Sequence, residues 1–444
     1  MLKTATISFG CPKNLVDSEL MLGLLREKGF DCVSSLDDAE VIIVNTCAFI
    51  EAARRESLSA IRRLSAHKKK NCRLLVVAGC LVQYYGRQAP KAIPEADILL
   101  GVGQYSRLPL LLGPGADRAG ASLFWEEEPV PLPLKSSPRL RSAPRHYAYL
   151  KIADGCDNRC SYCLIPRLRG RYRSRPLKEI VAEAARLAAE GVKELILVAQ
   201  DTSSFGPEGR RQGALLQLLE RLEGIDAVKW IRLLYAHPAH LREDVLRRMA
   251  SSSKICSYLD LPIQHINDRL LARMGRPLSR SRLEALLDQV RELIPGISLR
   301  TALMVGFPGE GEEEFQELVE FVRWQRFDHL GVFAYSREKG TSSARLRGRV
   351  AAAVAARRRD KLLRMQKSIS RARLRRYREK SLEVIIDGPF PDRGSELMVA
   401  RGRFQSPEVD GVVVVEGGGL APGDLVKVTI KESSAYDLYG VADR

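Results

Sequence analysis

The chain has 444 residues, 45% of them hydrophobic, and a formal net charge of +17. That length exceeds one compact core and predicts several domains, while the hydrophobic share is that of a soluble globular protein. No apolar run approaches the ~20 residues of a membrane helix, and Met1 to Ser8 lack the basic head and apolar stretch of a signal peptide, so a membrane protein is excluded, a cytoplasmic location is expected, and the cation excess favours a polyanionic partner.

Strands are predicted at residues 4–9, 41–44 and 74–78, with helices at 14–28 and about 50–67 between them. This alternation implies a parallel sheet covered on both faces, with sites at the carboxyl ends of its strands. Cys11, Cys47 and Cys80 each follow one of those strands, so three separate loops bring three thiols to one sheet edge. Gly10 and Gly79 beside two of them would let the backbone approach a bulky group. A metal cluster fits this placement, as does the plainer reading of buried cysteines as small hydrophobes. The nine cysteines, without a secretory signal, argue for reduced thiols rather than a disulfide framework. Cys32, Cys72 and Cys256 read as structural; Cys72 lies at the start of its strand, roughly 25 Å from Cys80 at ~3.3 Å per residue. A Pro- and Gly-rich passage over 114–141 reads as a linker.

From residue 147 the pattern becomes repeated strand and helix, with strands at 147–153, 195–199, 230–234, 257–261, 298–305 and 330–334 and helices such as 177–189, 280–293 and 312–323. Six such units fit a partial (β/α)6 barrel, whose chemistry lies at the carboxyl ends of the strands. After the first strand comes Cys156-Asp157-Asn158-Arg159-Cys160-Ser161-Tyr162-Cys163. Three thiolates in one short loop can each take one iron of a 4Fe–4S cube and leave the fourth iron open. A structural zinc loop would want a fourth ligand, and no Cys or His lies between Cys163 and Lys193. The other strand ends carry Gln200-Asp201, Tyr235-Ala236-His237, Gln264-His265 and Gly306-Phe307-Pro308-Gly309-Glu310, which together predict a polar mouth. His237 and His240, with Pro238 between them, read as a turn rather than a metal pair. Arg167, Arg169, Arg171, Arg173 and Arg175 alternate, and at strand spacing would share a face suited to a carboxylate or phosphate, or form a solvated basic edge.

Between Arg345 and Lys380 fifteen Lys or Arg face only Asp360 and Glu379. Residues 350–378 read as a surface helix with Leu362, Met365, Ile369 and Leu374 as its apolar stripe, and its charge suits an RNA or ribosomal surface. Short runs at 382–386, 397–404, 412–415, 425–430 and 436–441 predict a small antiparallel β-barrel of OB-like type, with few exposed aromatics.

The cysteine loop resembles the signature of the radical S-adenosylmethionine enzymes, and the whole chain resembles the methylthiotransferases among them. The resemblance implies an N-terminal methylthiotransferase domain over 1–113, a linker over 114–141, a radical S-adenosylmethionine domain over 142–372 and a TRAM domain over 373–444. Gly10-Cys11-Pro12-Lys13-Asn14, Asn45-Thr46-Cys47-Ala48-Phe49-Ile50 and Pro407-Glu408-Val409-Asp410-Gly411 resemble the ribosomal-protein branch, with Gln405-Ser406 a mild departure. The activity this implies is methylthiolation of the β-carbon of an aspartate in small-subunit ribosomal protein twelve. An unactivated C–H bond lies beyond general-base catalysis near neutral pH, which leaves a cofactor-borne radical. The resemblance further implies two 4Fe–4S clusters, one on Cys156, Cys160 and Cys163 and one on Cys11, Cys47 and Cys80. It also implies two S-adenosylmethionine molecules per turnover, as methyl donor and as radical source, and an external one-electron donor. It places Tyr162 beside the first cluster and the loop from Gly306 to Glu310 against S-adenosylmethionine; Gln200 and Gln264 are added as contacts from their strand-end positions. No catalytic side chain is expected beyond the cluster ligands. The 345–380 segment is expected to contact ribosomal RNA, and the TRAM barrel to grip the protein substrate or the ribosome. The alternatives are a methylthiotransferase acting on a modified adenosine of transfer RNA and a non-catalytic iron–sulfur RNA-binding protein.

Overall fold

Two long Val/Ile/Leu runs, buried along their whole length, form the centre of the first sheet, as strands of a parallel sheet covered on both faces must. A computed structural model describes residues 2–113, 122–129, 139–142, 144–206, 213–391 and 397–443. Strands β1 (Lys3–Ser8), β2 (Asp31–Cys32), β3 (Val41–Thr46), β4 (Leu74–Gly79), β5 (Ile98–Leu100) and β6 (Ser122–Phe124) lie in the order β2-β1-β3-β4-β5-β6, every pair parallel. The three predicted strands are its middle. The other three are only two or three residues long, too short to show a period, and β6 falls inside the passage read as linker.

The second sheet is the expected six-stranded partial barrel. It is built from β7 (Tyr147–Lys151), β10 (Glu194–Val198), β11 (Trp230–Leu233), β12 (Ile255–Asp260), β13 (Ser298–Val305) and β14 (His329–Ala334), all parallel, with β7 and β14 at its edges. Between β7 and β10 the two-residue strands β8 (Ala153–Asp154) and β9 (Arg173–Ser174) pair antiparallel and close the neck of the cysteine loop. Alternation along each strand sends one set of side chains out under the helices and the other inward. Leu195 and Leu197 join the outer core. The inward set, including Tyr149, Ile196, Val198, Trp230 and Tyr258, packs on Val16 and Leu20 of the N-terminal helix Pro12–Glu27 and on Ile385 of the C-terminal domain. The partial barrel is therefore filled by its two neighbours.

The C-terminal strands β15 (Ser381–Pro389), β16 (Leu397–Gly402), β17 (Val413–Glu416), β18 (Leu425–Ser433) and β19 (Leu438–Ala442) close into a five-stranded barrel in the order β15-β16-β17-β19-β18. Its pairs are antiparallel as expected except β17 with β19, which is parallel. It docks through charges that are otherwise costly to bury. Glu194 accepts from Arg232 at 2.7 Å and from Arg401 at 2.8 Å, and Arg401 also holds Asp387 at 2.6 Å. Asp410 of the Pro407–Gly411 motif accepts from Tyr258 Oη at 2.7 Å, Arg300 Nη1 at 2.5 Å and the Ser406 N–H at 2.8 Å. That motif fastens two domains of the chain to each other. The helix Ala352–Leu374 lies against β14 and the helix Glu312–Gln325, burying Leu362, Ile369 and Leu374 and half-burying Met365, the stripe read from sequence.

Burial alone would push the carboxyls of Glu194 and Asp410 upward; Arg401 and Arg232 around the first, and His329 and Arg300 around the second, hold both below the usual range. Depressed carboxyls contribute stability above their unfolded pKa of about 4 and lose it as pH falls through the folded values. The C-terminal barrel is expected to stay docked from pH 7 to 5 and to become protease-sensitive only below about pH 4. Limited proteolysis over an acid series checks this, and release between pH 6 and 5 would assign the docking to other groups.

Candidate metal centre at the domain junction

Cys11, Cys47 and Cys80 stand just past the carboxyl ends of β1, β3 and β4. Cys11 caps the helix Pro12–Glu27 and Cys80 opens the helix Cys80–Tyr85. A helix amino terminus favours a thiolate. At Gly10, φ is +99° and a Cβ would lie 2.7 Å from the Cys47 Cβ, so only glycine lets the Cys11 loop come this close. The three thiols feel one another: burial first, then charge on Cys11, raises the Cys47 pKa, and burial with charge on Cys47 and Cys11 pushes Cys80 up to about 12.

The second trio is held by its backbone. Cys156 N donates to Gly170 O at 3.1 Å, Ser161 N to Met274 O at 2.8 Å and Cys163 N to Cys160 O at 3.1 Å. Gly155, at φ +77°, lies so near the Arg171 carbonyl that a Cβ would come within 2.0 Å of its oxygen. The sulfurs accept as well, Cys163 from Ile165 N at 3.4 Å and Cys160 from Arg276 Nη1 at 3.7 Å. Burial pushes Cys156 up to about 11 and Cys163 up to about 12. Such thiols stay neutral at pH 7 unless a cation compensates the thiolate.

All nine cysteines are free. Among the described residues, Asp201, His237 and His240 form the one group of three donor types whose ligand atoms lie within 4.8 Å of one another. Neither thiol trio is drawn around a single ion, whereas a cluster that gives each thiolate its own iron needs them apart. Both trios fit a 4Fe–4S group. The Asp201 group is engaged with other partners: His237 Nε2 faces Arg276 Nη1 at 2.6 Å and its Nδ1 accepts from Ala239 N at 3.2 Å. Asp201 accepts from His240 Nδ1 at 2.7 Å and from Asn158 Nδ2 at 2.9 Å. The group braces the cysteine loop through Asn158 and Arg276, in keeping with the turn read from Pro238.

A buried charge network joins the trios. Arg169 Nη1 lies 2.7 Å from Asp17 and 3.1 Å from Asp154, while Lys151 bonds Asp17 and lies 3.0 Å from Asp154. Arg169 also bonds Asn14 Oδ1, and Asn14 Nδ2 donates to Phe9 O at 2.8 Å and Thr46 O at 3.0 Å, behind Cys11 and Cys47. Burial opposes the charge on Arg169; Cys80, Asp154 and Asp17 more than offset it and hold its pKa well above the usual value. The helix opened by Cys80 packs against Ile165–Arg169, which begins two residues after Cys163, with Leu164 and Leu168 inside the N-terminal core. Cys80 of the first trio and the segment that leaves the second thus meet across this pair of helices.

The alternating arginines do not share a face. Residues 165–169 are a helical turn, Arg169 is buried in the network, Arg175 pairs with Glu183 at 2.7 Å, and Arg171 and Arg173 are exposed. Tyr162 packs on Leu270, Met274 and Phe307 beside the loop. Gln200 Nε2 donates to Asp154 at 2.9 Å, and its buried Oε1 has no partner among the described residues. Gln264 sits at φ +78° and pairs through its backbone with β13. Glu310 accepts from Gly306 N at 2.9 Å and Arg358 Nη1 at 2.7 Å, so both residues are engaged with each other and with the basic helix, and the loop reaches Tyr162 through Phe307. Sequence reading assigned no role to Asp17, Lys151 or Asp154, named Lys13 and Asn14 only as part of a motif, and placed Arg169 and Tyr235 in other settings, an arginine face and the polar mouth. The visible signal was Lys151 and Asp154, two charges at the end of an otherwise apolar strand.

Residues 3–101 match the Uncharacterized protein family UPF0004, 150–322 the Radical SAM superfamily and 380–442 the TRAM domain. The ribosomal protein uS12 methylthiotransferase RimO of Trichlorobacter lovleyi is 44% identical, covering 98% of this chain and 97% of that protein. That of Caldicellulosiruptor saccharolyticus is 41% identical over 99% of each. The chain belongs to the uS12 methylthiotransferase family. Family membership makes it a radical S-adenosylmethionine enzyme, using a 4Fe–4S cluster and S-adenosylmethionine. In fold it is similar to the radical S-adenosylmethionine methyltransferase TsrM of Kitasatospora setae, solved with cobalamin and a 4Fe–4S cluster, at TM-score 0.57 and 14% identity over 77% of this chain and 76% of that one.

Replacing Arg169 by Met leaves Asp17 and Asp154 with one cation instead of two. Breaking a buried pair of this kind costs about 3–5 kcal/mol. The R169M variant is expected to melt several degrees lower and to be cleaved between the first sheet and the barrel, as calorimetry and limited proteolysis will show; an unchanged melt would mean the network does not couple the domains.

Proposed function

We propose that this chain replaces one hydrogen on the β-carbon of an aspartate of ribosomal protein uS12 by a methylthio group. The observation that carries the reading is the approach of one three-thiol loop to three thiols from separate strand ends, in a chain whose full-length relatives are named for that activity. Two 4Fe–4S clusters and two S-adenosylmethionine molecules would supply the radical, the sulfur and the methyl group, with an electron from an external donor. Cys156, Cys160 and Cys163 would hold one cluster and Cys11, Cys47 and Cys80 the other. Tyr162, Gln200 and Gln264 would be the S-adenosylmethionine contacts, Gln200 offering a buried acceptor without a partner among the described residues. Gly306 and Glu310 would act through Phe307. The proposed domains are 1–113, 142–372 and 373–444, with 114–141 connecting them, and the proposed site of action is the cytoplasm, where thiols stay reduced.

Iron content separates the two trios. Cys11→Ala and Cys156→Ala are each expected to keep about half the iron of the parent and to lose methylthiolation; full iron in Cys11→Ala would sink the second cluster. Mass spectrometry after incubation of reconstituted enzyme with uS12 and with transfer RNA tests the substrate. A gain of one SCH2 unit on the RNA, with none on uS12, would overturn the reading.

The partner proposed for the basic segment is ribosomal RNA. The helix Ala352–Leu374 sorts its cations: Arg358, Arg359 and Arg373 pair with Glu310, Asp360 and Asp328. Arg357, Lys361, Arg364 and Arg371 are exposed, lie at helical spacing on one face, and make no ion pair among the described residues. Tyr436 of the C-terminal barrel is 47% exposed beside Arg373 and Tyr377, where a base can stack. Changing the four stripe cations to Gln is expected to weaken binding to small ribosomal subunits and to flatten its salt dependence by about one unit of log slope per lost contact, with modification of free uS12 unchanged. An unaltered salt slope would remove RNA from the reading.

A further inference from the structure

The junction holds one cation more than it can pair. Asp17 and Asp154 are both satisfied by Lys151 and Arg169, yet a third cation, Lys13, is buried with them at 7% exposure and makes no hydrogen bond or ion pair among the described residues. Its direct contact among the described residues is aromatic, Nζ lying 3.4 Å from the ring centroid of Tyr235, with the Cys11 thiol and Asp154 in its electrostatic surroundings. An ammonium taken out of water without an anion is expensive, and a ring face offsets only part of that. Tyr235 stands at the carboxyl end of β11, in the barrel mouth, at φ +60°, with its N–H on Asp260 at 3.1 Å. A bulky residue forced into the left-handed region at a strand end marks a position held for use. Lys13 is two residues from Cys11 in the chain, so its side chain spans from the first thiol trio to the mouth of the barrel that carries the second.

We infer that Lys13 receives the carboxylate of the substrate aspartate. The inference rests on the uS12 reading above. In aspartate the carboxylate is bonded directly to the β-carbon, so a cation that fixes the carboxylate fixes the reacting carbon within one bond. An ammonium waiting between the two trios supplies the missing charge partner, and Tyr235 keeps the flexible lysine stem aimed until it arrives. The arrangement accepts an aspartate and disfavours its amide isostere, which would leave the buried ammonium unpaired.

The test is binding without turnover, using the cluster-loaded enzyme without reductant and two uS12 proteins, one native and one with the target Asp replaced by Asn. The parent should prefer the native form. Lys13→Gln should weaken native uS12 by about 10- to 100-fold, the range of a charge-assisted hydrogen bond, and leave the Asn form unchanged, with iron content and cluster spectra as in the parent. Lys13→Arg, which keeps the charge, should restore most of the preference. Equal weakening of both forms, or an unchanged preference in Lys13→Gln, would overturn the assignment. Loss of iron or an altered cluster spectrum would do so too, by giving Lys13 to the thiols. Failure of the uS12 reading itself would look different, since the parent would then bind neither form.

Discussion

Where the helix Pro12–Glu27 crosses the first barrel strand, Asp17, Lys151, Asp154 and Arg169 are buried against one another, and the relation between the two thiol trios hangs on those contacts. Two carboxylates and two cations out of water are not a cheap way to join domains, and an apolar contact of equal size would serve stability as well. What charges add is position. Asp17 follows Cys11 on one helix, Asp154 precedes Cys156 by two residues, and Arg169 follows Cys163 on the next helical turn. Each member is therefore within six residues of a candidate ligand, and a shift of one trio relative to the other would strip a buried charge of its partner.

The same logic recurs around the rest of the molecule. Glu194, Asp387 and Asp410 bind the C-terminal barrel to the larger one, and Glu310 and Asp328 bind the basic helix. Most cations that face inward have a carboxylate; those of the outer stripe have none. The large positive charge of the chain is thus an external property, confined largely to surfaces where counter-ions can be exchanged for phosphates.

The six barrel strands, the central strands of the first sheet and both thiol trios were legible because each rests on a local signal: a run of β-branched residues, or a cysteine at a strand end. The edge strands β2, β5 and β6 carried no such signal, being too short for a period. The arginine run misled because alternation was read as strand while Pro166 and the loop geometry make residues 165–169 a helical turn. The Asp17–Arg169 network was hidden for another reason, since its members come from positions more than a hundred residues apart and only tertiary packing brings them together. Lys13 was quoted as part of a motif without its surplus charge being visible, because surplus is a property of a neighbourhood and not of a residue.

The filled interior of the partial barrel has a consequence for how the chain is made. Val16 and Leu20 leave the ribosome early, but the surface that covers them is complete only after Tyr258 has emerged, and Ile385 closes the same cluster later still. The first sheet can form on its own schedule and covers Met21 and Leu25 of its opening helix, whereas the Val16 and Leu20 face stays uncovered through most of synthesis. A chain cut at either sequence boundary would present that cluster to solvent, so the three modules are units of ancestry more than of folding.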